Sequence, residues 1–63
     1  MFVTINSDNK ISYINKEEII LVELIPNEYQ TLLKIFLKNG HITEIKFSEY
    51  EKAELASKRL INA

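Results

Sequence analysis

The stretch "LLKIFLKNGHITEI", Leu32–Ile45, decides the fold because it sets two apolar, β-rich runs on either side of Gly40, the only glycine in the chain. The Asn39-Gly40 pair is typical of a two-residue type I′ hairpin turn. That register would set Ile35 against Glu44, so that an apolar residue would face a charged one. With a two-residue turn, the faces of the hairpin would therefore mix apolar and charged residues.

A three-residue loop, Lys38–Gly40 with Gly40 in a left-handed conformation, gives consistent faces. It pairs Leu37 with His41, Ile35 with Thr43, Leu33 with Ile45 and Thr31 with Phe47. On the other face it pairs Lys34 with Glu44 and Phe36 with Ile42. A slip of one residue would invert every side chain. We therefore predict the three-residue loop.

Similar β-branched and aromatic runs recur along the chain and predict further strands. The predicted strands span about residues 2–6, 10–14, 19–25, 29–37 and 41–47, and a helix follows at about 49–61. In the first hairpin we expect Ile5 to face Ile11 and Val3 to face Tyr13. Asn15–Glu18 predicts a single helical turn capped by Asn15, with Glu18 reaching back. The predicted class is α+β: one domain, residues 1–63, with an antiparallel five-stranded β-meander and one C-terminal helix on one sheet face.

The C-terminal helix carries the clearest boundary signal, since Ser48 and Glu51 match a capping box with Ser48 as the N-cap. One side of the helix combines apolar and small residues and predicts contact with the sheet. This side holds Tyr50, Ala53, Ala56, Ser57, Leu60 and Ile61. Leu55 is expected on the opposite side.

The hairpin between the third and fourth strands is predicted to have the loop Ile25–Glu28, where Pro26 suits the second position of a type I turn. Leu24 would then face Tyr29, and Val22 would face Thr31. The face expected to receive the helix collects Ile20, Val22, Leu24, Tyr29, Leu33, Ile35, Leu37, Ile45 and Phe47.

The opposite sheet face should be polar in a monomer, because one helix covers only one side. Instead it is predicted to carry Ile19, Leu21, Leu32, Phe36 and Ile42, interrupted by charged residues. An apolar patch rimmed by charge is typical of a protein–protein interface. The alternatives are different strand registers, or a sheet that curls over its second face as a small barrel.

Composition narrows the class of function. The net charge is −1 and the charges are well mixed, which does not favour nucleic acid or an anionic membrane. Cysteine is absent and His41 is the only histidine, so no cofactor or metal is expected. No apolar run has the roughly 20 residues that span a bilayer. Met1–Ile5 is too short for a signal peptide and has no basic residue, so we expect a cytoplasmic protein.

Three sets of residues are candidates for chemistry. His41 would need a nucleophile or carboxylate beside it to act as a base, and none is close in sequence. The carboxylates Glu17, Glu18, Glu49 and Glu51 all lie at predicted helix starts, where capping accounts for them. Tyr13, Tyr29 and Phe36 are candidate platforms for stacking nucleic-acid bases. No catalytic residue is predicted from these sets.

The order of signals resembles the small flagellar and swarming-motility accessory proteins of the FlbD/SwrD type. The matching residues are "YIN" (Tyr13 to Asn15), Ile19, "VE" (Val22, Glu23), Pro26, "LKNG" (Leu37 to Gly40) and "SEYE" (Ser48 to Glu51). The first turn, "SDNK", lacks the glycine of that family. The resemblance implies a small cytoplasmic accessory protein and transfers no functional residues.

These observations together predict a non-enzymatic protein-interaction or regulatory module of a bacterium, phage or plasmid. We expect it to form a homo-oligomer, or to bind a larger protein, through Ile19, Leu21, Leu32, Phe36 and Ile42. A nucleic-acid-binding β-sheet module is the alternative. An enzyme whose site is completed between subunits would require His41 beside a carboxylate of another subunit.

Overall fold

The computed structural model describes residues 1–62 and has five antiparallel strands followed by one helix. The strands are β1 (Phe2–Ser7), β2 (Lys10–Asn15), β3 (Ile19–Pro26), β4 (Thr31–Leu37) and β5 (Ile42–Phe47). A 3-10 turn, Lys16–Glu18, joins β2 to β3, and the helix α1 spans Tyr50–Ile61. The predicted α+β class is confirmed. The strands form two sheets, β1–β2 and β3–β4–β5, rather than one continuous sheet.

The hairpin of β4 and β5 has the predicted register, with Leu33 opposite Ile45 and Phe36 opposite Ile42. Gly40 has φ +90°, the left-handed conformation that the three-residue loop requires. Its N–H donates to the Leu37 carbonyl at 3.0 Å, and the Leu37 N–H donates to the His41 carbonyl at 2.9 Å. The prediction of a three-residue loop is therefore confirmed.

Gly40→Ala should lower the free energy of unfolding by about 1 kcal/mol, because an L-residue is strained at this φ. No atom lies within 4 Å of an added Cβ, so the loss comes from the backbone alone. Gly40→Asn should lose less, since asparagine tolerates the left-handed region better. Urea denaturation measures both variants. Equal stability of the alanine variant and the wild type would contradict the loop assignment.

The hairpin of β3 and β4 differs from the prediction by four residues, since Leu24 faces Leu33 and not Tyr29. The loop is Asn27–Gln30, where the Asn27 side-chain oxygen accepts from the Tyr29 and Gln30 N–H groups, each at 2.9 Å. Tyr29 therefore lies in the loop, 87% exposed, and not on the helix face. An even shift leaves the other side chains on their predicted faces.

A β-bulge at Ile20 changes the face of the first residues of β3. Ile19 faces Leu37, whereas Leu21 faces Phe36, so the strand gains one residue between the two pairs. The bulge turns Ile19 toward the core and leaves Ile20 64% exposed. The predicted faces of Ile19 and Ile20 are both wrong for this reason.

The register of the first hairpin also differs from the prediction, here by one residue. Val3 faces Ile14 and Thr4 faces Tyr13, with Asp8-Asn9 as a two-residue turn. Asp8 adopts φ +48°, a conformation that aspartate reaches more readily than most residues. Because the shift is odd, Tyr13 points outward and not toward the core.

The turn between the two sheets is capped by Asn15 as predicted, since its side chain accepts from the Glu17 N–H at 3.2 Å, but the predicted return contact of the Glu18 side chain is not among the hydrogen bonds of residues 1–62. The Glu18 carbonyl accepts from the Lys38 N–H at 2.8 Å and so holds this turn at the end of β4. The β1–β2 hairpin then packs over the same sheet face as α1. The shared core comprises Val3, Ile5, Ile14, Leu33, Ile35, Ile45, Phe47, Ala53, Ala56 and Leu60.

The helix begins one residue later than predicted, with Glu49 as its N-cap residue and no side-chain capping bond. The prediction of Ser48 as the N-cap is wrong, because its hydroxyl donates to the Asp8 carboxylate at 2.9 Å. Of the predicted stripe, Ala53, Ala56 and Leu60 are buried, whereas Tyr50 and Ile61, at the two ends of the helix, are 45% and 64% exposed and were wrongly predicted to face the sheet. Leu55 is 62% exposed, on the flank of the helix nearer to β1.

Candidate protein-interaction surface

The side of the three-stranded sheet opposite α1, here called the outer face, is built from three cross-strand rows. The first row is Leu21, Phe36 and Ile42, the second is Glu23, Lys34 and Glu44, and the third is Ile25, Leu32 and Lys46. Side chains alternate across a sheet, so these nine share one side while their neighbours fill the core. The outer face therefore has an apolar row at one end and a mixed row at the other, separated by a charged row.

The charges of the second row partly neutralise one another, so this row does not prevent the outer face from forming an apolar contact. Lys34 lies between Glu23 and Glu44, so opposite charges are adjacent across both strand pairs. The Lys34 ammonium also lies 5.5 Å from the centre of the Phe36 ring, within the range of a cation–π contact. This contact holds the aromatic ring beside the charged row and within the apolar one.

The outer face is uncovered in residues 1–62, because both α1 and the β1–β2 hairpin pack on the other side of the sheet. Leu21, Ile25 and Ile42 are 49%, 41% and 52% exposed. Leu32 and Phe36, on the central strand, are half-buried by their neighbours alone. The protein thus presents one contiguous apolar row to solvent, Leu21, Phe36 and Ile42, with Ile25 and Leu32 beyond the charged row.

The structure brings together four of the five predicted interface residues: Leu21, Leu32, Phe36 and Ile42. Ile19 does not belong to this surface, because the bulge turns it toward the core. Ile25 does belong to it and was missed by the sequence prediction, which assigned it to a turn. The sequence signal for Ile25 is the apolar pair Leu24-Ile25, which follows Glu23 and continues to Pro26.

The structure does not bring the candidate catalytic residues together into one site. His41 is exposed at the end of the loop, and its backbone N–H donates to the Asn39 side-chain oxygen at 2.9 Å. Glu17 lies 3.8 Å from the Met1 amino group, and Glu49 lies 3.1 Å from the Lys52 ammonium. Within residues 1–62, no group of three His, Asp or Glu side chains is arranged to hold a metal ion.

The three aromatic residues considered for nucleic-acid stacking lie on separate surfaces. Tyr13 is on the exposed side of the β1–β2 hairpin, and Phe36 is on the outer face of the other sheet. Tyr29 lies in the loop before Thr31, and Thr31 is roughly 17 Å from Phe36 along β4 at about 3.3 Å per residue. The three side chains do not form one stacking platform.

In the part of the chain that the structure describes, no helix is both long and apolar enough to cross a membrane. Comparisons with protein-family models, with curated proteins and with solved structures find no significant match for this chain. The functional argument therefore depends on the geometry and composition of the surfaces described above.

Proposed function

We propose that this protein is a non-enzymatic interaction module that self-associates through the outer face. The observation that supports the proposal is the contiguous apolar row of Leu21, Phe36 and Ile42 on an uncovered sheet face. Burial of exposed apolar area stabilises association by roughly 25 cal/mol per Å² before the entropic costs of binding. A second copy supplies a surface of the same shape and chemistry.

A two-fold symmetric dimer can form about either of two axes in the plane of the outer face. The charged residues of the outer face distinguish the two arrangements. An axis along β4 would set the Glu23 side of one copy over the Glu44 side of the other, placing like charges together. An axis along the apolar row sets Phe36 against the partner's Phe36. It also carries the two charged rows to opposite sides of the contact, so that neither Glu23 nor Glu44 lies over a glutamate of the second copy. The second arrangement is the one we propose.

The size of the outer face predicts a weak dimer. Three strands about 4.8 Å apart, with six residues at about 3.3 Å each, cover roughly 15 by 20 Å, or on the order of 300 Å². Stable interfaces bury about 800 Å² per partner. We therefore expect a weak and transient dimer.

Phe36→Glu should abolish self-association, because it places a charge at the centre of the apolar row. Sedimentation equilibrium at protein concentrations up to about 500 μM measures the effect. The wild type should show a concentration-dependent rise from monomer to dimer, and the variant should remain monomeric. The matched control is Leu55→Glu, which adds the same charge at an exposed leucine on the helix and should leave the dimer intact.

A monomeric wild type over the whole concentration range would contradict the proposal. Equal losses of dimer in Phe36→Glu and Leu55→Glu would also contradict it, since the interface would then not be the outer face. Circular dichroism on both variants excludes unfolding as the cause. The resemblance to FlbD/SwrD-type accessory proteins agrees with this proposal of a small binding module.

A further inference from the structure

A second surface, formed between β1 and α1, has a different chemistry from the outer face. Two adjoining clefts, which share Leu55 and Arg59, lie between the strand and the helix. The larger cleft is wide and open to solvent, with a volume of about 610 Å³. We call the two clefts together the β1–α1 groove. Its strand wall is Met1–Asn6, and its other lining residues are Lys16, Lys52, Leu55, Ala56, Lys58, Arg59 and Asn62.

The β1–α1 groove is strongly cationic although the chain as a whole has net charge −1. Four of the eight lysine and arginine residues of the chain line it: Lys16, Lys52, Lys58 and Arg59. None of the nine aspartate and glutamate residues does. Lys52 is paired with Glu49 at 3.1 Å, and the Met1 amino group lies 3.8 Å from the Glu17 carboxylate, which leaves Lys16, Lys58 and Arg59 as the cationic side chains of the groove outside these two pairs. The groove therefore attracts an anionic ligand.

The strand wall of the groove is an unpaired sheet edge. Within residues 1–62, β1 pairs only with β2, so one side of its backbone has no hydrogen-bonded strand. The Lys16 N–H donates to the Met1 carbonyl at 2.8 Å, which fixes the alternation of hydrogen bonds along the strand. The backbone groups of Phe2, Thr4 and Asn6 consequently point to the open edge, and all three residues line the groove.

The groove also has an apolar component. Phe2 and Leu55 are 67% and 62% exposed and stand on its two walls, with Val3 and Ala56 deeper in it. A ligand that lies along β1 can therefore place apolar side chains between the strand and the helix. Its charged side chains would meet Lys58 and Arg59.

We propose that the β1–α1 groove binds an acidic peptide in extended conformation, which adds to β1 as a further strand. An extended peptide supplies both N–H donors and carbonyl acceptors, and the open edge of β1 offers both kinds of partner. A nucleic acid would satisfy the charge, but its phosphodiester backbone has no donors for the carbonyl groups of Phe2, Thr4 and Asn6. The open backbone groups of β1 therefore favour an acidic peptide over a nucleic acid, although charge alone would not distinguish these two polyanions.

Fluorescence anisotropy with a labelled ten-residue peptide of alternating glutamate and valine tests the proposal. This peptide should bind saturably with a dissociation constant below about 1 mM. Three further probes separate the contributions: the same peptide methylated on alternate backbone amides, a lysine–valine peptide of equal length, and a ten-nucleotide oligothymidylate. The methylated peptide should bind at least about tenfold more weakly, because it keeps the charge and loses the hydrogen bonds. The lysine–valine peptide should not bind.

Variants of the protein test the groove itself. Lys58→Glu combined with Arg59→Glu should weaken binding of the glutamate–valine peptide at least about tenfold. Lys38→Glu, a charge reversal at an exposed lysine outside the groove, should change it less than about twofold. Phe36→Glu should leave it unchanged, since the groove and the outer face are separate. That separation makes failure of this proposal distinguishable from failure of the proposed self-association.

Several results would overturn the acidic-peptide proposal. The first is equal binding of the methylated and unmethylated peptides, which would remove the role of the strand edge. Another is oligothymidylate that binds as tightly as the peptide, which would indicate a nucleic-acid site. Loss of peptide binding in Lys38→Glu to the same degree as in the double variant would show general charge attraction. No detectable binding at about 1 mM would exclude the site.

Discussion

Leu33→Ala should destabilise the protein by about 2–5 kcal/mol, because the side chain is 0% exposed at the centre of the shared core. A 63-residue domain has a free energy of unfolding of roughly 3–9 kcal/mol, so this loss removes much of it. Urea denaturation followed by circular dichroism should show a greatly reduced midpoint, or a chain that is largely unfolded without denaturant.

The matched control for this prediction is Leu32→Ala, on the preceding residue of the same strand. Leu32 lies on the outer face, half-buried, so its truncation should cost less than about 1.5 kcal/mol. The two variants remove the same atoms from opposite sides of β4. Similar losses of stability in both would show that the register of β4 is wrong.

Ala53→Leu should be the second most damaging of the proposed substitutions, since Ala53 is 0% exposed where α1 packs on the sheet. A leucine there has no space, and overpacking of a core costs typically 1–3 kcal/mol. The helix would have to move away from the sheet and would lose contact along its buried side. Thermal denaturation should show a melting temperature lowered by several degrees or more.

Lys52→Leu provides the control for Ala53→Leu, because it introduces the same side chain one residue earlier on the exposed side of the helix. It removes the exposed ion pair with Glu49 and should cost no more than about 1 kcal/mol. A wild-type melting temperature for Ala53→Leu would contradict the close packing of the helix on the sheet.

The sequence was sufficient to predict the β4–β5 hairpin, because two independent requirements agree on one register. Gly40 permits a left-handed loop residue, and the pairing of Lys34 with Glu44 rules out the one-residue slip. The outer face followed from this hairpin. Its apolar row could be identified because both its central and its β5 residue, Phe36 and Ile42, lie in the correctly aligned pair.

The other two hairpins were misaligned because side-chain hydrogen bonds and backbone conformation set their loops. The amide of Asn27 organises the second loop, and Asp8 adopts a left-handed conformation in the first. Proline is common both in turns and at the ends of edge strands, so Pro26 did not distinguish them. An error of four residues preserved the faces of β3, whereas an error of one inverted the faces of β2.

The remaining differences come from contacts between residues far apart in the chain. Ser48 has the sequence context of an N-cap but donates to Asp8, 40 residues earlier. The bulge at Ile20 and the division into two sheets depend on how the hairpin folds over the core. The β1–α1 groove could not be predicted for the same reason, since it joins the two ends of the sequence.

Nuclear magnetic resonance on an isotopically labelled dilution series tests the central claim, self-association through the outer face, most directly. As the concentration rises from about 10 to 500 μM, we expect the backbone amide signals of Leu21, Phe36 and Ile42 to shift progressively. The signals of Leu55 and Arg59 should remain fixed. Signals that do not change with concentration, or shifts confined to residues away from the outer face, would contradict the proposal.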